Sequence, residues 1–149
     1  MSEIKDLFVP YEIALQLKEK GFDEPCFGIF LNEYSNNPGY LYSREERNIC
    51  NEEIDEEGNI IGVFVTYSNS KIFEQYTTAP LYQQVIDWFR EIHKLDISHT
   101  VGFPLSYSFH VQDLDREQKY WNFNGPEQVH KHYYEGLNKA IEEALKLIS

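Results

Sequence analysis

The sequence predicts an α+β fold: a mainly antiparallel sheet of four to five strands packed by two longer helices, with a short N-terminal helix at an edge. All of it is expected within a single globular domain, residues 1–149. Three observations predict this. Residues 80–95 carry apolar side chains at helical spacing. Residues 97–101 and 105–111 alternate apolar with polar, as half-buried strands do. Residues 25–31 and 60–65 are short apolar runs bounded by turn residues, the pattern of buried strands.

Pro10 opens the first helix, because proline suits the first helical turn, where its missing N–H has no partner to lose. Ile13, Ala14 and Leu17 then share one face. Gly21 falls at the left-handed position past the helix end, which puts Phe22 where a Schellman motif packs a hydrophobe on Leu17. Residues 25–31 follow as a buried strand, and Asn36-Asn37-Pro38-Gly39 reads as a turn. Residues 40–57 have the weakest pattern. Ser43 and Glu46 have capping-box spacing, yet Ile49, Cys50 and Ile54 make a poor helical stripe. A loop with one strand or helical turn is expected there. Glu56-Glu57-Gly58-Asn59 is turn chemistry ahead of the strand at 60–65.

In the stretch APLYQQVIDWFREIHK, residues spaced at 100° bring Leu81, Val85, Trp88, Phe89, Ile92 and Leu95 together. Tyr82 and Ile86 widen that arc to about half the helix circumference, so the helix is expected to pack across a sheet. The strands at 97–101 and 105–111 form a hairpin through Gly102-Phe103-Pro104, pairing Val101 with Leu105, His99 with Tyr107 and Ile97 with Phe109. A polar loop begins at Asp113 and holds Trp121 and Phe123. The last helix is expected over 126–148, burying Tyr133, Leu137, Ile141, Ala144, Leu145 and Ile148. Glu135 with Lys139 and Glu142 with Lys146 are i,i+4 pairs in the favourable order.

The formal charge of −12 disfavours partners with anionic backbones, so neither nucleic acid nor an anionic membrane is an expected partner. Acidity is concentrated early: residues to Gly58 carry −9 and the remainder −3, with a dense run from Glu45 to Glu57 that reads as a solvated acidic loop. Cys26 and Cys50 have neither metal-ligand spacing nor the density of a secreted scaffold. No apolar segment follows Met1, and no run reaches the roughly 18 apolar residues of a membrane span. A cytoplasmic protein with reduced thiols is the expectation.

No phosphate loop, dinucleotide fingerprint, zinc-protease helix, paired-cysteine motif or nucleophile elbow is present. Setting Gly58 as the sixth position of a calcium loop places Phe64 at the twelfth, where a bidentate glutamate is required. His130 and His132, two apart on the expected helix, point away from each other and cannot share a metal. His110 with Asp113 and Asp115 would make a His-carboxylate site at a strand end, although the alternation puts His110 on the solvent face with Ser106 and Ser108. His99, facing Tyr107, reads as a partly buried structural histidine, and Cys26 as a small hydrophobe. No catalytic residue, metal site or cofactor is therefore expected. The remaining lead is aromatic. Tyr34, Tyr40 and Tyr42 flank the Asn36–Gly39 turn, and Trp121 lies in the later loop. These rings either cover the edges of the core or form a partner-binding surface, a use for which tyrosine and tryptophan are favoured.

The segments YEIALQLKEKGFDEPCF, APLYQQVIDWFREIHK and YYEGLNKAIEEALKLI resemble a group of small uncharacterised proteins encoded by phages and prophages of Bacteroides-type gut bacteria. The likeness covers both ends and the middle helix and fades across residues 33–78 and 112–125. It implies a context, an accessory gene of a mobile element expressed inside a bacterial host cell, and brings no activity with it. The leading expectation is a non-enzymatic accessory protein that binds another protein or itself. The rivals are a small hydrolase or nuclease using a His/Asp site, and an acidic decoy occupying a nucleic-acid site on a host protein.

Overall fold

A computed structural model describes residues 4–30, 49–54, 56–58, 60–116, 120–122, 129–130 and 132–148. They form two compact units, one ending at Leu81 and the other beginning at Tyr82. The class is α+β, and the strand pairs among the described residues are antiparallel. The strands are distributed over separate sheets of two, two and four strands.

The first unit holds a 3₁₀ turn at Ile4–Leu7, helix α1 (Tyr11–Glu19), β1 (Gly28–Phe30), β2 (Ile49–Ile54), β3 (Ile60–Thr66), a 3₁₀ turn at Asn69–Lys71, and β4 (Thr77–Ala79). Helix α1 follows Pro10 and buries Ile13, Ala14 and Leu17, as its spacing predicts. Its end is the expected Schellman motif. Phe22 N–H donates to Leu17 O at 2.9 Å and Gly21 N–H to Lys18 O at 3.0 Å. Gly21 sits at φ 90°, and the Phe22 and Leu17 side chains are both buried. β1 pairs with β4, a strand the sequence does not announce because three residues are too few to show a period. Among the described part of residues 40–57, β2 is a regular element, joined to β3 past Gly58 at φ 86°. Asn69 ties loops together, donating to Phe22 O at 2.8 Å and accepting from Thr78 N–H at 3.0 Å.

The second unit holds α2 (Tyr82–Ile92), β5 (Leu95–Gly102), β6 (Ser106–Asp113), β7 (Tyr120–Asn122), β8 (Val129–His130) and α3 (Tyr133–Leu147). β6 is central, with β5 on one side and β7 and β8 on the other. Helix α2 lies against β5, and α3 against β5, β6 and β8. Helix α2 is shorter than the expected 80–95. Lys94 takes φ 56°, turning the chain so that Leu95 enters β5 and is buried there, while Ile92 is left 60% exposed. Of the rest of the predicted face, Tyr82, Val85, Trp88 and Phe89 are buried, Ile86 is half-buried, and Leu81 is half-buried just ahead of the helix.

The hairpin forms in a register two residues on from the expected one. Val101 pairs with Tyr107, His99 with Phe109 and Ile97 with Val111, so the turn is Phe103–Leu105 and Gly102 faces Ser106. A shift of two keeps every side chain on its predicted face. Gly102 is suited to that pairing, since a Cβ there would come within 2.8 Å of Ser106 Oγ. Helix α3 begins at Tyr133, later than expected. Val129 is the only apolar residue from 126 to 132, so a helix there would have no stripe to bury, and Val129–His130 pair with β6 instead. On α3, Lys139 lies 4.0 Å from Glu142 and Lys146 lies 2.6 Å from Glu143, i,i+3 partners in place of the expected i,i+4 pairs.

Candidate functional site

Tyr34, Tyr40 and Tyr42 lie outside the described residues, as does the Asn36–Gly39 turn they flank. Trp121, expected in a loop, is on β7, paired with Val111 of β6. Its neighbours Tyr120 and Asn122 pair with Gln112 and His110, so edge pairing orders a segment whose composition reads as loop.

The His-carboxylate grouping does not assemble. His110 and Asp113 are three apart on one strand and therefore face opposite sides of the sheet. His110 Nε2 is 3.5 Å from Thr100 Oγ1, across on β5. The Asp113 carboxylate is occupied locally, accepting from the backbone N–H of Asp115 at 3.0 Å and of Arg116 at 3.1 Å. His130 belongs to β8 and His132 to the N-terminal end of α3, so the two are not on one helix. Among the described residues no three His, Cys, Asp or Glu side chains are grouped as metal ligands would be.

Cys26 is fully buried, and its thiol donates to Glu24 O at 3.3 Å. Burial pushes the thiol pKa up to about 12, and the nearby negative charges of Glu24 and Asp23 push the same way. The neighbouring Thr78 hydroxyl acts the other way and is second only to burial, ahead of either charge, although it makes no well-formed hydrogen bond. A buried thiol held in its neutral form packs as a small hydrophobe.

The second unit gathers its aromatic rings at the start of α3. The Tyr133 ring is 5.0 Å from His99, 5.4 Å from Tyr107, 5.5 Å from Phe109 and 5.3 Å from Tyr134. Tyr134 in turn stacks on Tyr82 at 4.9 Å, and Tyr82 donates its hydroxyl to Asn138 Oδ1 at 2.6 Å. Burial first, then Tyr134 and Tyr107, raises the Tyr133 pKa, which keeps its phenol neutral. These rings join the sheet to α3, and the edge-on geometry is that of a packed cluster.

Beyond that cluster the hairpin runs out into solvent. Residues His99 to Leu105 are all exposed, and Val101, Phe103 and Leu105 show 59%, 99% and 65% of their surface. Three adjacent large apolar side chains at one tip form a patch of the kind that marks a contact site. No charged residue occurs from Ile97 to Gln112, a run of 16 in a chain that is 26% charged. That gap, together with Phe-Pro-Leu placed in a turn, is the signal by which the sequence points to this surface. Comparison with protein-family models, curated proteins and solved structures finds no match for this chain.

Proposed function

We propose that this chain is a non-enzymatic protein-binding module, an accessory protein of a phage or prophage acting inside the bacterial host cell, and that its contact surface is the β5–β6 hairpin tip. The observation that carries the reading is the exposure of Val101, Phe103 and Leu105 within five residues at one hairpin end. Exposed singly, such side chains are unremarkable, but a contiguous group needs a reason to stay in water. The scattered histidines and the locally occupied Asp113 favour binding over hydrolysis. Tyr34, Tyr40, Tyr42 and Trp121 are proposed as further partner-binding residues, on the sequence grounds given above. Among the described residues no helix is long and apolar enough to cross a membrane.

The test is a matched pair of baits, wild type and the double variant Phe103→Ser with Leu105→Ser. Both positions are exposed, so the two should melt at nearly the same temperature. The wild type should retain a protein, another chain or a further copy of itself, that the variant releases. Equal retention by both would rule out the hairpin tip.

A further inference from the structure

We propose that residues 72–76 form a strap latched by a single side chain, the ammonium of Lys18, and that the strap opens by itself, without α1, when that latch is released. Lys18 is half-buried in the last turn of α1. Its Nζ donates to two main-chain carbonyls of the strap, Glu74 O at 2.6 Å and Tyr76 O at 2.6 Å. The acceptors lie 56 and 58 residues on in sequence, so the fold alone brings them to one nitrogen. A hydrogen bond from a charged donor is about twice as strong as a neutral one, and two on one nitrogen are lost together. The strap has no ladder to replace them. It lies between the 3₁₀ turn at Asn69–Lys71 and β4, and its internal main-chain hydrogen bond among the described residues is Tyr76 N–H to Phe73 O at 2.9 Å.

The strap covers a small apolar cluster of its own. Ile29 of β1 and Tyr67 are buried, and Ile72 and Tyr76 pack on them half-buried. Between these two anchors Phe73, Glu74 and Gln75 are exposed, Phe73 by 53%. A segment with two partly buried anchors and three residues in water belongs to the low end of local stability. Its flanks are held without Lys18. Asn69 bonds Phe22 O and Thr78 N–H, Ser70 N–H donates to Asp23 Oδ1 at 2.7 Å, and β4 pairs with β1. Fixed ends leave the middle as the part that Lys18 seats. Helix α1 does not depend on the same side chain. Its buried residues are Ile13, Ala14 and Leu17, and its Schellman end closes on the main-chain carbonyls of Leu17 and Lys18.

The experiment is amide hydrogen exchange, followed by NMR on the full chain, of wild type and Lys18→Met. Methionine keeps an unbranched side chain and a good helix former while removing the ammonium. Exchange of Tyr76 N–H should quicken about tenfold or more, since each hydrogen bond to a charged group is worth at least that factor. Phe22 N–H, in the Schellman end, and Cys26 N–H, bonded to Tyr67 O at 2.8 Å, should keep their rates. An unchanged Tyr76 rate in Lys18→Met overturns the latch. Quickening of all three amides by one factor overturns the separate opening, because Lys18 would then support the whole unit. Should Lys18→Met fail to fold, the wild type in low urea decides in its place. Strap opening exposes little surface, so urea should hasten Tyr76 N–H less steeply than Cys26 N–H. A common slope for the two amides overturns the proposal.

Discussion

His93 follows the last residue of α2, with its ring against Trp88 at 4.4 Å and Phe89 at 6.1 Å between centroids, and its buried Nε2 has no hydrogen-bond partner. Burial lowers its pKa from the ordinary value, because an imidazolium there would give up hydration without gaining an acceptor. A lowered folded-state pKa leaves stability untouched above the unfolded value of about 6.5 and removes it as pH falls below that point. Denaturant midpoints of wild type and His93→Phe should therefore run parallel near about pH 8 and diverge toward about pH 5.5, the wild type losing more. Parallel curves throughout would mean that the ring protonates in the folded state as easily as in the unfolded one. Cys26 illustrates the same rule with opposite sign, since burial there holds an acid in its neutral form.

Helix α2 shows how far a periodic stripe specifies an element and where a neighbour overrides it. Trp88 is 5% exposed at the centre of the predicted face, and Trp88→Ala should cost about 3–5 kcal/mol, as large aromatic truncations in cores do. Asp87, on the polar face, accepts from Gln83 at 2.9 Å and lies 3.5 Å from Arg90 in an exposed pair, so Asp87→Ala should stay within about 0.5 kcal/mol. Ile92 distinguishes the straight-helix expectation from the observed turn. At 60% exposure Ile92→Ser should also be close to neutral, whereas an Ile buried on a continued helix would cost several times more. Urea melts of the three variants rank them directly. In α1 no such override occurs, because Gly21 supplies the left-handed residue where the apolar stripe ends.

At the scale of the whole chain, charge is the property with the longest reach. A net −12 without a basic cluster offers a polyanion few counterion-releasing contacts, so no electrostatic binding to DNA or RNA is expected. A random duplex titrated at about 0.15 M salt should give no signal. Binding that weakened steeply with added salt would mean that a cationic surface is assembled from residues scattered in sequence. Acidity is uneven along the chain, −9 to Gly58 and −3 beyond, so repulsion of a polyanion is strongest over the first part of the sequence.

Wherever the deciding interaction is local, the amino-acid sequence alone determined the outcome. The face of α1 and its Schellman end, the β3 strand, the turn at Gly58, and the two faces of the β5–β6 hairpin all rest on spacings of a few residues, and each formed as its spacing requires. Tertiary structure decided everything that depends on a partner distant in sequence. Thr77–Ala79 became a strand because Gly28–Phe30 offers it a ladder, and Val129–His130 and Trp121 did so because β6 has an open side. The hairpin register moved by two because alternation specifies a face but not which same-face partner is met. The candidate surface is divided in the same way. Its missing charges can be read along the chain from Ile97 to Gln112, whereas the exposure of Val101, Phe103 and Leu105 depends on how far α2 and α3 reach across the sheet. Burial is a property of neighbours, and a linear pattern carries no record of where the covering helices stop.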